Sequence, residues 1–370
     1  MRAEGSRLSG TTEVPVCSDG VVTLRAHRSD DIDRVVGYAT DPLTKRWTSM
    51  PSPYGRSDAE RFIDGALRGW VDGDAMTWAI EHEGRCVGSV ELRGPGRIVE
   101  AGFGLHPDAR GAGLARRAVV LAMTYAAAER DVEVVRFHAA EGNLASLRVA
   151  HAAGFTLLAR LPGWLEMNSR VVDAWCGRWH AGDDFAPTSR WHATTFDTER
   201  FRLRPLAEKD DERIRETLDD PISRKYLFER PDPLSVEDAA RERTRKWWTA
   251  ACGTTCTWAV ADQATDDYMG DISIFAIDDV TGAEIGFYTH PASRGKGVLG
   301  EAFPAAVRHI FDVLDIRRLT MFAAASNAGS RALARNAGFA EFGTQPLAAS
   351  SDGHIEDLVG YELLRENCTL

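Results

Sequence analysis

Two stretches of the 370-residue chain carry residue types that can hold an anion without spending side-chain charge. One is Arg110-Gly111-Ala112-Gly113-Leu114-Ala115, reached through an extended run that opens at Glu100 and ends at Leu105-His106-Pro107. The other is Arg294-Gly295-Lys296-Gly297-Val298-Leu299-Gly300, reached in the same way from Glu284 through His290-Pro291. Glycine lets the backbone come close to a ligand, and a helix starting behind the loop adds unpaired N–H groups and partial positive charge. Strand, glycine loop and helix together can therefore hold a phosphate or a diphosphate. A lone Gly-x-Gly is more often an ordinary tight turn, but here the pattern occurs twice.

The elements that must position these loops repeat as well. Arg110 and Arg294, Asn143 and Asn327, and Phe155 and Phe339 are each 184 positions apart. Trp78 and Trp258 are 180 apart, and Asp41-Pro42 lies 179 before Asp220-Pro221, so short insertions absorb the difference. Two copies of one domain follow. Behind the loops, Leu114, Ala118, Leu121 and Tyr125, and likewise Phe303, Val307, Ile310, Phe311 and Leu314, fall on one helical face. Pro304 is tolerable in a first helical turn.

The periodicity predicts, in the first copy, a strand at 21–25, a helix from Ser29 and another over 57–71, then hairpin strands at 76–81 and 86–92. Strand 99–105, the loop and its helix come next, followed by a strand at 132–139, a short helix at 143–153, and strands at 155–161 and 170–179. The second copy repeats this order from Phe201. The expected fold class is α+β: two tandem domains, each a mostly antiparallel mixed sheet flanked by helices. Residues 1–20 read as a flexible leader, 21–180 as the first domain, 181–196 as a polar Gly- and Pro-containing linker, and 197–370 as the second domain. Trp47 to Tyr54 and its counterpart Tyr226 to Pro233 differ between copies and are candidates for shaping an acceptor pocket.

A formal charge of −11 disfavours nucleic acid as a partner and is compatible with a cationic substrate. Six scattered cysteines form no paired metal spacing, so no metal is expected and they read as reduced thiols of a cytoplasmic protein. No run approaches the length of a membrane span. Gly295-x-Gly-x-x-Gly300 also spells a dinucleotide fingerprint, but it follows a hairpin in mid-domain instead of opening a parallel βαβ unit.

Arg110-Gly-Ala-Gly-Leu-Ala115 resembles the acetyl-coenzyme A motif of the GNAT (Gcn5-related) N-acetyltransferases. Thr198-Glu-Arg-Phe-Arg-Leu-Arg-Pro-Leu206, together with Asn143, Ser146, Gly154 and Phe155 and their counterparts Asn327, Ser330, Gly338 and Phe339, is similar to the RimJ/RimL branch. The resemblance covers nearly all of the chain after residue 20. It implies acetyl-coenzyme A as cosubstrate and transfer of an acetyl group to a primary amine of a small molecule or of a peptide N-terminus. It assigns coenzyme contacts to Leu105, residues 110–115, Asn143, residues 294–298, Gly300 and Asn327. Glu100 and Glu284 resemble the catalytic glutamate, with a pKa expected to be raised beside an apolar cleft. Ser146 and Ser330 resemble the serine near the coenzyme sulfur; a structural role as helix-start hydrogen-bonding residues stays open for both, and N-capping stays open for Asn143 and Asn327.

Two departures are visible. Leu299 stands where the motif has Gly or Ala, which predicts crowding or a one-residue shift of the second loop and makes the first site the safer coenzyme site. Many members place a Tyr acid seven residues after the Asn, where this chain has Ala150 and Ala334. A degenerate second domain and a non-catalytic acyl-coenzyme A sensor therefore stay open beside the enzyme. Monomer and homodimer are both compatible with the duplication.

Overall fold

The computed structural model describes residues 13–191, 194–226, 233–278, 280–351 and 354–370. The chain forms two compact units, Met1–Ser189 and Arg190–Leu370. The first contains β1 (Cys17–Ser18), β2 (Thr23–Arg25), α1 (Ile32–Thr40), α2 (Pro42–Trp47), α3 (Arg56–Asp72), β3 (Ala75–His82), β4 (Arg85–Arg93), β5 (Ile98–Leu105), α4 (Leu114–Glu129), β6 (Val134–Ala140), α5 (Leu144–Ala152), β7 (Thr156–Met167) and β8 (Arg170–His180). The second repeats the series as β9 (Phe196–Asp197), β10 (Phe201–Arg204), α6 (Asp211–Asp219), α7 (Pro221–Lys225), α8 (Val236–Ala251), β11 (Thr255–Asp262), β12 (Tyr268–Asp278), β13 (Gly282–Thr289), α9 (Val298–Val313), β14 (Arg318–Ala324), α10 (Ala328–Asn336), β15 (Ala340–Ser351) and β16 (His354–Leu364). Strand β1 falls inside the stretch read as a leader, whose residues 1–12 lie outside the described residues; so do residues 227–232 of the second candidate acceptor segment.

Each unit is one eight-stranded sheet, ordered β1-β2-β3-β4-β5-β6-β8-β7 and β15-β16-β14-β13-β12-β11-β10-β9. Neighbours are antiparallel except β5 with β6 and β13 with β14. The α+β expectation holds in both units. The β3–β4 hairpin turns at Glu83 and Gly84, both with positive φ (51° and 73°), as the sequence Glu83-Gly84-Arg85 predicts. Alternation along the strands sends Val90, Leu92, Val99 and Phe137 to one face, where α4 buries Leu114, Ala118, Val119 and Ala122 against them. The second unit does the same with Ile272, Ile274 and Ile285 under Phe303, Val307, Ile310 and Phe311 of α9. Among the described residues no helix is long and apolar enough to cross a membrane.

The parallel pairs position the site. β5 and β6 stay in register only from Ile98 with Val134 to Ala101 with Phe137, and β13 and β14 only at Ala283 with Leu319 and Glu284 with Thr320. Beyond those residues the strands of each pair diverge. Gly102–Leu105 and Ile285–Thr289 are left without a ladder partner on that side, and Glu100 and Glu284 stand where the gap begins.

Candidate functional site

The two loops have the same backbone. Gly111 and Gly113 take φ of 85° and 73°, Gly295 and Gly297 take 73° and 74°, and Gly113 and Gly297 are the N-cap residues of α4 and α9. A Cβ added at Gly111, Gly113 or Gly295 would meet nothing within 4 Å, so these glycines serve the left-handed backbone and the space in front of them is open. Among the described residues the N–H groups of 111–116 in the first loop, and of Gly295, Gly297, Val298, Leu299 and Gly300 in the second, donate to no protein acceptor. Leu299 neither shifts the loop nor displaces its glycines. It enters α9 at the position of Ala115 and rests partly buried on the core while bordering the cleft, which overturns the expected one-residue shift.

The motif arginines brace the loops. Arg110 Nη2 donates to Asp41 at 2.8 Å and to Thr44 Oγ1 at 3.0 Å; Arg294 Nη2 donates to Asp220 at 2.5 Å and to Ser223 Oγ at 3.0 Å. Asp41 and Asp220 are N-caps of α2 and α7, accepting the backbone N–H of Thr44 and of Ser223, both at 2.9 Å. Each guanidinium thus ties its loop to a short helix. The paired Asp-Pro dipeptides were the sequence signal for this anchor, which motif reading alone leaves unassigned. His106 and His290 cap the turns before the loops, accepting from the N–H groups of Asp108 and Ala292.

In the second unit these parts open onto a cleft of about 830 Å³. Glu284, Arg294, Gly295, Gly297, Val298, Gly300, Asn327 and Ser330 all line it; Lys296 is the one predicted residue of this copy that does not. One side of the cleft is walled by α8, β11 and β12, with hydroxyl pairs Thr249–Thr255 at 2.7 Å and Thr257–Ser273 at 2.8 Å, and with Lys246 bound to the buried Asp271 at 3.2 Å. Sequence reasoning missed this wall, because it forms from three elements that only the sheet register brings together.

The two glutamates differ. Glu284 is half-buried, has no hydrogen bond or ion pair among the described residues, and burial alone pushes its carboxyl above the ordinary glutamate value. Glu100 lies 3.2 Å from His138 Nδ1, and that hydrogen bond holds its carboxyl below the ordinary value against its partial burial. The expectation of a raised pKa therefore stands for Glu284 and is corrected for Glu100. Register explains the split: Glu100 pairs with Arg136 and Glu284 with Thr320, so Phe322 occupies the place of His138. The first unit has a further carboxylate that motif reading did not find. Glu91 stands opposite Gly102 on the Glu100 face of the sheet, and burial pushes its pKa up.

Asn143 and Asn327 cap α5 and α10, each side-chain oxygen accepting from the N–H of Ser146 at 3.2 Å or Ser330 at 3.1 Å. Capping uses only the oxygen, so the amide N–H groups and the serine hydroxyls have no partner among the described residues. Ala150 and Ala334, where the resemblance would place a Tyr, are fully buried.

The acetyltransferase (GNAT) domain matches residues 22–156 and 200–340, about three quarters of the chain. A Bacillus subtilis (strain 168) protein named "Putative ribosomal N-acetyltransferase YdaF" is 30% identical over 170 residues, 45% of this chain and 92% of its own length. Solved structures that resemble this chain include Mycobacterium smegmatis RimJ in complex with CoA-disulfide, 18% identical with a TM-score of 0.45 over 50% of this chain and 93% of that one. Another is RimL, a ribosomal L7/L12 alpha-N-protein acetyltransferase in complex with coenzyme A, 16% identical with a TM-score of 0.43 over 46% of this chain and 100% of that one. The chain belongs to the GNAT acetyltransferase family, in which acetyl-coenzyme A is the cosubstrate, and it carries that domain once in each unit.

Proposed function

We propose that the second unit transfers the acetyl group of acetyl-coenzyme A to a primary amine by direct attack, with Glu284 as proton acceptor. An amine is protonated near neutral pH and becomes a nucleophile only after losing that proton. One observation carries the assignment: Glu284 borders the cleft at the point where β13 and β14 part, and burial without a cation partner raises its affinity for a proton. The unpaired N–H groups of 295 and 297–300 hold the diphosphate, and Asn327 offers its amide to the pantetheine arm. An N–H of β13 facing the gap steadies negative charge on the acetyl oxygen. The Ser330 hydroxyl, on the cleft wall, supplies a proton to the departing thiolate.

The acceptor is a small-molecule amine or a peptide N-terminus. The name of the B. subtilis relative favours a ribosomal protein, and the hydroxyl-rich wall between α8 and β12 suits a polar small molecule. The Glu100–His138 contact favours a reading in which the first unit binds coenzyme with little turnover, so the division of labour is the reverse of the one the motif departure at Leu299 suggests. Acetyl transfer to a panel of amines and peptide N-termini, followed in the wild type and in Glu284→Gln, tests the assignment. Turnover falls roughly 10²–10⁴-fold with coenzyme affinity kept if Glu284 is the base; an unchanged rate removes it.

A further inference from the structure

Arg200, just before β10, has no part in the reaction described so far, yet its guanidinium lies on the second glycine loop. Nη1 donates to the Lys296 carbonyl at 3.2 Å and Nη2 to the Gly297 carbonyl at 3.5 Å. Nε donates to Glu301, in the first turn of α9, at 2.6 Å. Glu301 is fixed in turn by the Thr198 hydroxyl at 2.7 Å and by the Arg200 backbone N–H at 2.8 Å. A trans peptide sets its C=O and N–H on opposite sides. With the Lys296 and Gly297 carbonyls turned toward Arg200, the N–H groups of Gly297 and Val298 are turned away from it. Those two N–H groups donate to no protein acceptor, and both residues line the cleft.

We infer that Arg200 is a positioning residue for the diphosphate site of the second unit, locking two peptide planes with their N–H groups toward the anion before it arrives. This rests on the proposed reading that the loop holds acetyl-coenzyme A. Donors ordered in advance spare the ligand the cost of ordering them. The first unit shows that the fold does not require the contact. Asp19, Val21 and Arg117 stand there at the places of Thr198, Arg200 and Glu301, and an Arg117–Asp19 pair at 2.7 Å ties helix to strand. Among the described residues no side chain donates to the Ala112 or Gly113 carbonyl. The tie is kept with its charges exchanged, and only the second unit brings a guanidinium onto the loop.

Calorimetric titration of the full chain with coenzyme A, and with pantetheine, which lacks the diphosphate, tests the inference. Arg200→Ala weakens coenzyme A about tenfold at one class of site, the loss of two modest hydrogen bonds, and leaves pantetheine within about twofold. Arg200→Lys recovers only part, since an ammonium does not span two carbonyls. Arg202→Ala, which removes the exposed pair with Asp197, binds as the wild type does. Equal weakening of both ligands, or no change in either, overturns the inference. Failure of the wild type to bind coenzyme A overturns the acetyl-transfer reading and takes this inference with it.

Discussion

At the scale of single residues, the two units differ most clearly at their matched glutamates. Glu100 and Glu284 are equivalent in sequence, yet one is hydrogen-bonded to His138 and the other has Phe322 at the equivalent place on the next strand. Introducing the missing partner is therefore informative. Phe322→His lowers the pKa of Glu284 and moves the acidic limb of the pH–rate profile to lower pH, as a hydrogen-bonded imidazole does for Glu100; a limb that stays in place separates that limb from Glu284. Stability carries the opposite sign. A carboxyl whose folded pKa is raised favours the fold while protonated, and this contribution is lost as pH rises from the ordinary glutamate range through the folded pKa. Glu284→Gln consequently raises the melting temperature at neutral pH, with a gain that shrinks on acidification. Thermal unfolding across that window reads it directly, and a gain independent of pH would contradict the assigned cause.

At the scale of elements, the glycines of the loop do different jobs although they look alike in the sequence. Gly297 sits at φ 74° and caps α9, so Gly297→Ala costs roughly 1–2 kcal/mol and weakens coenzyme binding. Gly300 is already inside α9 with open space at its Cβ, and Gly300→Ala gains roughly 0.5–1 kcal/mol with binding retained. Equal effects of the two changes, measured by denaturant unfolding, would contradict this distinction. The 184-residue repeat and the apolar periodicity make β5, α4, β13 and α9 legible from the residues alone. Helices α2 and α7 are not, because six and five residues beginning with Pro carry too short a period to separate from a loop. Their N-caps Asp41 and Asp220 are visible as a repeat, but their role depends on an arginine about 70 residues away. The divergence of Glu100 from Glu284 is hidden for the same reason: the partner comes from a neighbouring parallel strand, and only the register names it.

For the molecule as a whole, duplication has kept two glycine loops of the same backbone geometry while the surroundings of the two carboxylates have diverged. Among the described residues both loops keep unspent N–H groups, the feature on which a coenzyme site in either unit would rest. The proposed assignment of the chemistry to the second unit rests on the cleft there, which joins its loop to Glu284. The most direct test compares Glu100→Gln and Glu284→Gln in the full chain, measuring turnover at saturating acetyl-coenzyme A with an amine the wild type acetylates. Loss of roughly 10²-fold or more in Glu284→Gln, with Glu100→Gln near the wild type, is the predicted result. Full turnover in Glu284→Gln together with an inactive Glu100→Gln would contradict it.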